Sequence, residues 1–582
     1  MSSIKVTKDS SAIVQRSRLL GFRESVANFL QLTRSCHTPR GKMIVLQNTS
    51  GGCLTLTSSS RRLLQCLSVK KPVIQLLVSA TQGHLSAFSD AGLFLSSFAA
   101  DLVIRSIDCC QSEKILAEVY ELFLTLSLDY LNSDDCGFKY PAIISDLSFM
   151  KIFVRSILGT KQLPQWNGIK LGHISNIIIE TFLQCVTDGS RSLHVSDNIC
   201  VMASLGLDVL NSYNVSGVLL PAPEMSKFKA RPLKPKRVNL HSNNSIKVAL
   251  ITTSMSGDLD ELAGVRYEVS QNIPTDGIII DDLSNICDTM VQFDVGLVLC
   301  QRVMHPKLKH SLHKSGLIVV DRIGLQLVKY IINLTGCVPI QCAEISLSEN
   351  IFGYIDDVQH VIVNKLSYLH LTRADNPVST LMLYHHQEEP LNELKDVCLT
   401  SLDSLQQLVY DPTVLAGAGC WQVGLANYLT GKIEDKGVEL SEELECLVIT
   451  LQQACTLFVQ ALLSASLTDV NNYSVSRNSG HVFRSSDVTK DSNKLGNDNK
   501  RCSCGIYKAK ANENLLQLTE NDSFYLTRKN GTLNCEKCPL TDAIEECDEV
   551  VIDSFTVGIN ALQTAVLTAC SVLKIGQVVE NL

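Results

Sequence analysis

One carboxylate stands beside two small residues in segment 86–98, where Asp90 precedes Ala91 and Gly92 in the string SAFSDAGLFLSSF. Small residues let a backbone approach a phosphate closely, and a carboxylate supplies the oxygen ligand that Mg²⁺ prefers. The plainer interpretation is a loop whose aspartate caps the following helix. Both interpretations predict the same local structure, so this segment alone does not decide between them.

Other segments rich in glycine, proline and hydroxyl side chains occur in a defined order along the chain. They are Thr38-Pro39-Arg40-Gly41, Ser58-Ser59-Ser60, Lys71-Pro72, Ser89-Asp90-Ala91-Gly92 and Gly417-Ala418-Gly419. Their order resembles that of the motifs GPxG, TNDGATIL, HP, GDGTT and GGGxxE in the group II chaperonins, the family of the cytosolic ring CCT and the archaeal thermosome. Each motif is weak alone, but five in register over most of the chain are specific.

The resemblance implies a multidomain α/β fold, mainly helical, with equatorial, intermediate and apical domains. The expected bounds are 1–140 and 413–582 for the equatorial domain, 141–214 and 366–412 for the intermediate domain, and 215–365 for the apical domain. The sequence pattern agrees, because helical blocks flank a region in which short β-rich runs alternate with helices. Polar insertions at about 470–500 and 511–546 are predicted to be looped or disordered.

Several elements are predicted from periodicity. Residues 13–36 and most of 143–212 have helical spacing, and 42–57 has the pattern of a hairpin. Residues 277–280 read as a short strand before a helix.

The resemblance also implies a nucleotide site with ATP and Mg²⁺ as its ligands. The matching residues are Thr38, Pro39 and Gly41 for the phosphate loop, Asp90, Ala91 and Gly92 for the metal-binding loop, and Gly417 and Gly419 for the glycine-rich turn. Several positions depart from the family pattern: Thr38 and Ala418 replace glycines, Ser59 an acid, Gly92 and Leu93 two threonines, and Gln422 a glutamate.

The acid that orients the attacking water in the family falls at Thr400, so it is lost as well. Losing one such group costs about 10²–10³ in rate, and here several are lost together. We therefore expect no ATP hydrolysis and no required cofactor, with Asp90 the one retained Mg²⁺ ligand and nucleotide binding left open. The alternative is an ATP-dependent chaperone subunit that binds unfolded protein and completes its site with Asp90 and Asp403, one helical turn further on.

Three other sequence patterns bear on binding functions. Leu308 and Leu312 share one face of a predicted helix that resembles the client-facing helix of chaperonins, although packing on the chain's own sheet explains them equally well. His310 and His313 on that helix are more simply surface histidines than metal ligands. The basic segment 227–237 has the composition of a nuclear-import or acidic-partner signal, but a solvated loop is favoured.

The 22 cysteines of the 582-residue chain show no disulfide framework and are expected to be reduced and mostly buried. Cys502 and Cys504, followed by Cys535 and Cys538, suggest zinc only weakly, because C-x-C spacing is unusual in structural sites. The net charge of −8 and the polar N-terminus give no case for nucleic acid or a secretory signal. The apolar runs are interrupted by polar residues, so no membrane span is expected.

The resemblance is strongest to a divergent branch of the chaperonins, and it implies a function in assembly rather than in an ATP-driven cycle. The expected partners are sibling chaperonin-like proteins, the CCT ring and subunits of the BBSome, a cargo adaptor for ciliary trafficking. The expected location is the cytosol and the centrosome or basal body, with the nucleus as an alternative. Because the polar insertions add bulk where identical subunits would pack, a closed homo-oligomeric ring is not expected.

Overall fold

The protein is described by a computed structural model. It covers these residues: 12–16, 20–37, 41–47, 54–109, 111–161, 166–186, 195–223, 231–232, 245–257, 275–341, 348–374, 378–467, 470–476, 479–484, 501–509, 515–518, 540, 543–544, 549–575 and 577–581. The chain divides into two compact units. Unit 1 joins residues 1–175 to 392–582, and unit 2 is the continuous stretch 176–391.

Unit 1 is mainly helical. Its helices are α1 (Leu20–Cys36), α2 (Ser60–Cys66), α3 (Pro72–Phe88), α4 (Gly92–Asp108), α5 (Glu113–Asn132), α6 (Leu147–Leu158), the first part of α7 (Gly168–Cys185), most of α11 (Glu388–Tyr410), α12 (Cys420–Glu443), α13 (Val448–Ser466) and α14 (Phe555–Leu573). Its strands are β1 (Ala12–Arg16), β2 (Ile44–Gln47), β3 (Leu54–Thr57), β4 (Lys139–Pro141), β16 (Thr413–Ala416), β17 (Tyr473–Ser476), β18 (Val482–Arg484), β19 (Leu515–Gln517), β20 (Ile552–Ser554) and β21 (Gln577–Asn581).

Helix α4 lies at the centre of unit 1. It is apolar around most of its circumference, as expected of a helix surrounded by others, and it packs against α1, α3, α13 and α14. An aromatic cluster fills the space beside it. The ring centroid of Phe458 lies 5.3 Å from that of Phe98 and 5.7 Å from that of Phe123, both in edge-on contact.

Two helices of unit 1, α13 and α14, are long and apolar enough to cross a membrane by length and composition. More than half of each is buried, and both pack against α4 and α5. Because these contacts already cover their apolar surfaces, we interpret them as core helices.

Unit 2 is an α/β structure. Its helices are the end of α7, α8 (Thr275–Gln292), α9 (Pro306–Lys314) and α10 (Leu325–Thr335). Its strands are β5 (Ile199–Leu205), β6 (Tyr213–Ser216), β7 (Val218–Pro221), β8 (Arg231–Pro232), β9 (Ile246–Ile251), β10 (Leu297–Cys300), β11 (Ile318–Val320), β12 (Gly353–Ile355), β13 (Asp357–Val363), β14 (Leu366–Thr372) and β15 (Ser379–His385).

The central sheet of unit 2 has the order β11-β10-β9-β12, with its first three strands parallel. Alternate residues of each strand enter two different cores. Along β10, Val298 faces the core that holds α8 and α9, whereas Leu297 and Leu299 face the core that holds α10. Burial on both faces explains why these strands are almost entirely apolar, Lys247 of β9 being paired with Glu349. Further sheets have the orders β7-β14-β13-β8 and β5-β15-β6.

The hairpin predicted at 42–57 is confirmed, since β2 and β3 pair antiparallel from Ile44–Thr57 to Gln47–Leu54. Four other predictions are wrong. Residues 12–16 form a strand paired with β21, residues 199–205 form β5, residues 277–280 lie in helix α8, and part of the predicted loop 470–500 forms β17 and β18. Short apolar runs fit helical and strand periodicity equally well, so the pattern alone does not tell a helix from a strand. Pairing with partners distant in sequence decides which of the two forms.

The prediction that Leu308 and Leu312 contact a client is also wrong. Both lie on α9, are at most 2 % exposed and belong to the core that also contains Met290 and Val298. Because α9 must cover its own sheet, its apolar face is unavailable to a partner. Residues 227–230 and 233–237 of the basic segment, and Cys535 and Cys538, lie outside the described residues.

Candidate nucleotide site

Two helix N-termini of unit 1 lie side by side. Helix α4 follows the turn Ser89–Ala91, and α12 follows the turn Gly417–Gly419. Phe94 and Trp421, from the first turns of the two helices, pack edge to face with centroids 5.9 Å apart. The N–H groups and dipoles of two long helices therefore face one region, which favours an anion there.

Both turns have a left-handed backbone. The φ angle is +62° at Ser89, +58° at Ala91, +53° at Ala418 and +84° at Gly419. Three of these residues carry a Cβ, which makes the conformation costly by about 1–2 kcal/mol each. The loops thus keep a shape natural to glycine after the glycines have been replaced. Strain of this kind persists only where the surrounding packing imposes it.

Glycine is needed at positions 417 and 92 because neighbouring atoms leave no room for a Cβ, and not because the backbone φ is positive. A Cβ on Gly417 would lie 3.0 Å from the carbonyl oxygen of Val551 and 3.1 Å from Oδ1 of Asp553. A Cβ on Gly92 would lie 2.8 Å from Oγ of Ser60. The Ser58–Ser60 segment and the Asp90 loop are therefore in direct contact.

Asp90 is exposed, and its Oδ1 accepts a 2.7 Å hydrogen bond from the N–H of Ala91. A second carboxylate, Asp553 on β20, lies close enough to interact with it electrostatically. Burial, and then the charge of Asp90, raise the pKa of Asp553 to about 6, although Nε1 of Trp421 donates to its Oδ2 at 3.2 Å. Two neighbouring carboxylates suit a divalent cation. Asp553 was not predicted from the sequence, because it lies in a short strand that carries no motif.

One face of α11 carries Glu393, Asp396, Thr400 and Asp403, which are spaced three or four residues apart. Asp403 reaches the metal-binding loop, since Oγ of Ser89 donates to its Oδ2 at 2.6 Å. Thr400, at the position of the lost acid, lies between Asp396 and Asp403 on this face. The sequence showed that Thr400 and Asp403 lie about one helical turn apart, but it did not show the contact between Asp403 and Ser89.

Glu393 is fully buried against the Ser58–Ser60 segment. Its carboxylate accepts hydrogen bonds from Oγ1 of Thr57 at 2.7 Å and from the N–H and Oγ of Ser58 at 3.0 and 2.8 Å. Arg62 lies 3.5 Å from Glu393 and 3.1 Å from Asp396, whose pKa is raised to about 6 mainly by burial. Ser59, at the position of the lost family acid, is thus next to segments that contact Glu393 of α11. The carboxylate of Glu393 is already occupied by its hydrogen bonds from Thr57 and Ser58.

Two cationic side chains, Arg34 and Lys161, lie near His37 at the edge of the site. Nζ of Lys161 donates to the carbonyl oxygen of Ser58 at 3.4 Å. Burial, followed by the charges of Arg34 and Lys161, lowers the pKa of His37 to about 4. His37 adjoins the predicted phosphate loop, of which Gly41 is described and buried, whereas Thr38 and Pro39 lie outside the described residues. Lys161 was missed by the sequence interpretation, because it lies in a polar segment without a motif.

Gln422 in the first turn of α12, at the position of the family glutamate, is 7 % exposed. Its Oε1 has no hydrogen-bond partner among the described residues. A buried amide oxygen without a partner costs about 1–3 kcal/mol, so it marks a place where a further polar group would be favourable.

Comparisons with known proteins agree with this geometry. The TCP-1/cpn60 chaperonin family matches residues 29–581. Over the full length of both proteins, the chain is 28% identical to "Molecular chaperone MKKS" of Pongo abelii and 27% identical to that of Homo sapiens. Thermosome subunit alpha of Sulfurisphaera tokodaii is 23% identical over 419 residues, which cover 68% of this chain and 70% of that protein.

The predicted resemblance to a divergent relative of the group II chaperonins is therefore confirmed, and so is the multidomain α/β chaperonin fold. A chaperone-type function and ring-type chaperonin relatives follow from the same comparisons. With its loops at the two helix N-termini and a match over nearly its whole length, the chain belongs to the TCP-1/cpn60 chaperonin family.

Proposed function

We propose that this chain is a chaperonin-like assembly factor that does not run an ATP-hydrolysis cycle. The observation that carries the proposal is the set of side chains that replace the family residues at the two helix N-termini and on α11. Leu93 stands where the family has a hydroxyl, Thr400 where it has the water-orienting acid, and Gln422 where it has a glutamate. The backbone cradle is kept, but the groups that would stabilise transferred charge or position water are replaced.

The engaged state of the remaining acids supports the same conclusion. Glu393 accepts three hydrogen bonds from the Thr57–Ser58 segment, and Asp396 lies 3.1 Å from Arg62. These carboxylates hold protein segments together. A structural use of the acids suits a subunit that presents surfaces to partners.

We further propose that its partners are sibling chaperonin-like proteins, the CCT ring and BBSome subunits, and that it acts in the cytosol and at the centrosome or basal body. The full-length similarity to proteins named molecular chaperone MKKS supports a partner-directed chaperone role. The polar composition of the segments near 470–500 and 511–546 disfavours a closed ring made of this subunit alone.

The second candidate function is an ATP-hydrolysing chaperone subunit that binds unfolded protein. The contact between Asp403 and Ser89 favours it, because it brings an acid of α11 to the metal-binding loop. Asp90 and Asp553 would then hold Mg²⁺, and Asp403 would orient water.

Steady-state phosphate release from Mg-ATP by the purified full-length protein separates the two functions. We expect no turnover above the buffer rate and no change in Asp90→Ala or Asp403→Asn. Asp108→Asn, at an ion pair with Arg23 away from the loops, is the matched control for loss of a carboxylate. Turnover that persists in Asp108→Asn and disappears in Asp90→Ala would overturn the proposal.

The partner proposal is tested by size-exclusion chromatography and mass analysis of the tagged protein from cells. We expect complexes that contain other chaperonin-like chains. A closed double ring containing this subunit only would contradict it.

A further inference from the structure

Four metal-ligating side chains meet in the interior of unit 1, and only two of them belong to the cysteine pairs that the sequence weakly suggested for zinc. They are Cys420, His481, Cys502 and Cys504, and each is at most 5 % exposed. Their three sulfur atoms and one imidazole nitrogen all lie within 4.8 Å of one another. The Sγ atoms of Cys502 and Cys504 are 3.0 Å apart, and Nδ1 of His481 is 3.3 Å from Sγ of Cys504.

Separate elements deliver these residues. Cys420 is the first residue of α12, directly after the left-handed Gly419. His481 precedes β18 and is held by the hydrogen bond from the N–H of Ser476 to its carbonyl oxygen. Its ring stacks on Tyr507, with centroids 5.3 Å apart and planes 8° from parallel. The imidazole is thus fixed with Nδ1 toward the thiols.

Cys502 and Cys504 come from a tight turn. The N–H of Gly505 donates to the carbonyl oxygen of Cys502 at 2.9 Å, and Gly505 has a φ of +78°. The N–H of Tyr507 donates to Sγ of Cys502 at 3.2 Å. A backbone amide that donates to a cysteine sulfur stabilises the thiolate, which is the form that binds a metal.

We propose that Cys420, His481, Cys502 and Cys504 together bind one Zn²⁺ ion in a tetrahedral site of three sulfurs and one nitrogen. Zinc–sulfur bonds of about 2.3 Å and a zinc–nitrogen bond of about 2.0 Å place tetrahedral ligands about 3.5–3.8 Å apart. The observed separations bracket this spacing. Thiolate and imidazole ligands in a buried, closed set of four suit a structural zinc ion, since no position is left for water.

The site would have a defined structural effect. The carbonyl oxygen of Cys504 accepts from the N–H of Val551 at 3.0 Å, and the carbonyl oxygen of Val551 accepts from the N–H of Gly417 at 3.0 Å. The cysteine turn is therefore linked by two backbone hydrogen bonds to the turn before α12. Bound zinc would hold together the start of α12, the residue before β18 and the turn that carries Cys502 and Cys504.

The test is the zinc content of the full-length protein, purified from cells supplied with zinc and measured by elemental analysis and native mass spectrometry. We expect about one zinc per chain, and a cobalt-substituted sample with thiolate-to-cobalt charge-transfer bands and tetrahedral ligand-field bands. A zinc-free protein without these cobalt bands, or one isolated with a Cys502–Cys504 disulfide, would overturn the proposal.

Two variants locate the site. Cys504→Ser should lower the zinc content about tenfold or more at a fixed chelator concentration, because it removes one of four ligands. Cys455→Ser, a buried cysteine of α13 outside the cluster, is the matched control and should keep its zinc. Should Cys504→Ser fail to fold, the cobalt spectrum of the unaltered protein still decides, since three thiolates give stronger charge-transfer absorption than two.

A third variant distinguishes this site from the one suggested by cysteine spacing. Cys535→Ser combined with Cys538→Ser should keep the zinc. Loss of the metal in this double variant, with retention in Cys420→Ser, would show that the ligand set is different from the one proposed.

Discussion

At the residue scale, the candidate nucleotide site is defined by what surrounds each carboxylate. Asp90 is exposed, Asp403 is bonded to Ser89, and Asp553 lies beside the ring of Trp421. The three carboxylates therefore differ in their exposure and in their hydrogen-bond partners. Asp553 is affected most, because burial and the nearby charge of Asp90 act in the same direction on its pKa.

The pKa of Asp553, about 6 against an ordinary 3.8, predicts a dependence of stability on pH. The folded protein binds this proton more tightly than the unfolded chain. Its contribution is therefore complete below about pH 4 and is lost as the pH rises through 6. Asp553→Asn does not titrate, so its free energy of unfolding should rise relative to the parent by up to about 3 kcal/mol between pH 4 and 7.

Denaturant unfolding of both proteins at several pH values measures this difference. Asp108→Asn is the control with opposite sign, because a hydrogen bond from Arg23 lowers the pKa of Asp108. Its stability relative to the parent should fall as the pH rises, and by less, since Asp108 is exposed. Parallel profiles of Asp553→Asn and the parent would contradict the assigned pKa.

At the element scale, the two turns before α4 and α12 combine a glycine-like backbone with alanine side chains. Ala91 and Ala418 both have positive φ angles, at +58° and +53°. Neighbouring atoms of Ser60 and Val551 leave no room for a Cβ on Gly92 and Gly417, so both turns are closely packed. The elements have thus kept the anion-binding geometry of helix N-termini even where individual residues no longer favour it.

Replacement of Ala91 by glycine should stabilise the protein. Removing the Cβ relieves a left-handed conformation worth about 1–2 kcal/mol, and the greater freedom of glycine in the unfolded chain offsets part of it. We expect a net gain of about 0.5–1 kcal/mol in the free energy of unfolding. Ala80→Gly, inside α3, is the matched control and should lose about 0.5–1 kcal/mol. An equal loss in both variants would show that Ala91 is not strained.

At the scale of the whole molecule, the two units differ in how the chain builds them. Unit 2 is continuous from 176 to 391 and contains its own cores on both faces of the β11-β10-β9-β12 sheet. Unit 1 is assembled from both ends of the chain. Its central helix, α4, packs against α1 from the first segment and against α13 and α14 from the second.

This difference predicts opposite behaviour of two fragments. Residues 176–391 expressed alone should fold and unfold cooperatively, because every strand of the central sheet is present. Residues 1–175 alone should not fold, because α4 would expose the surface that α13 and α14 cover. Circular dichroism and thermal denaturation of both fragments give the test. A cooperative transition in 1–175 would show that the second segment is dispensable for this core.

The sequence alone determined the family, the α/β region within helical flanks, and most helices of unit 1. These depend on local periodicity and on motif order, which a linear chain displays directly. It also placed Asp90 beside Gly92 and identified the acids missing at Ser59 and Thr400.

Only the tertiary structure decided which residues meet. Asp403 reaches Ser89, Asp553 neighbours Asp90, and Cys420 joins Cys502 across a long sequence interval, because the elements that carry them come together in unit 1. The burial of Leu308 likewise follows from α9 covering its sheet. Contacts between distant segments depend on how whole elements pack, and no local pattern in the chain encodes that arrangement.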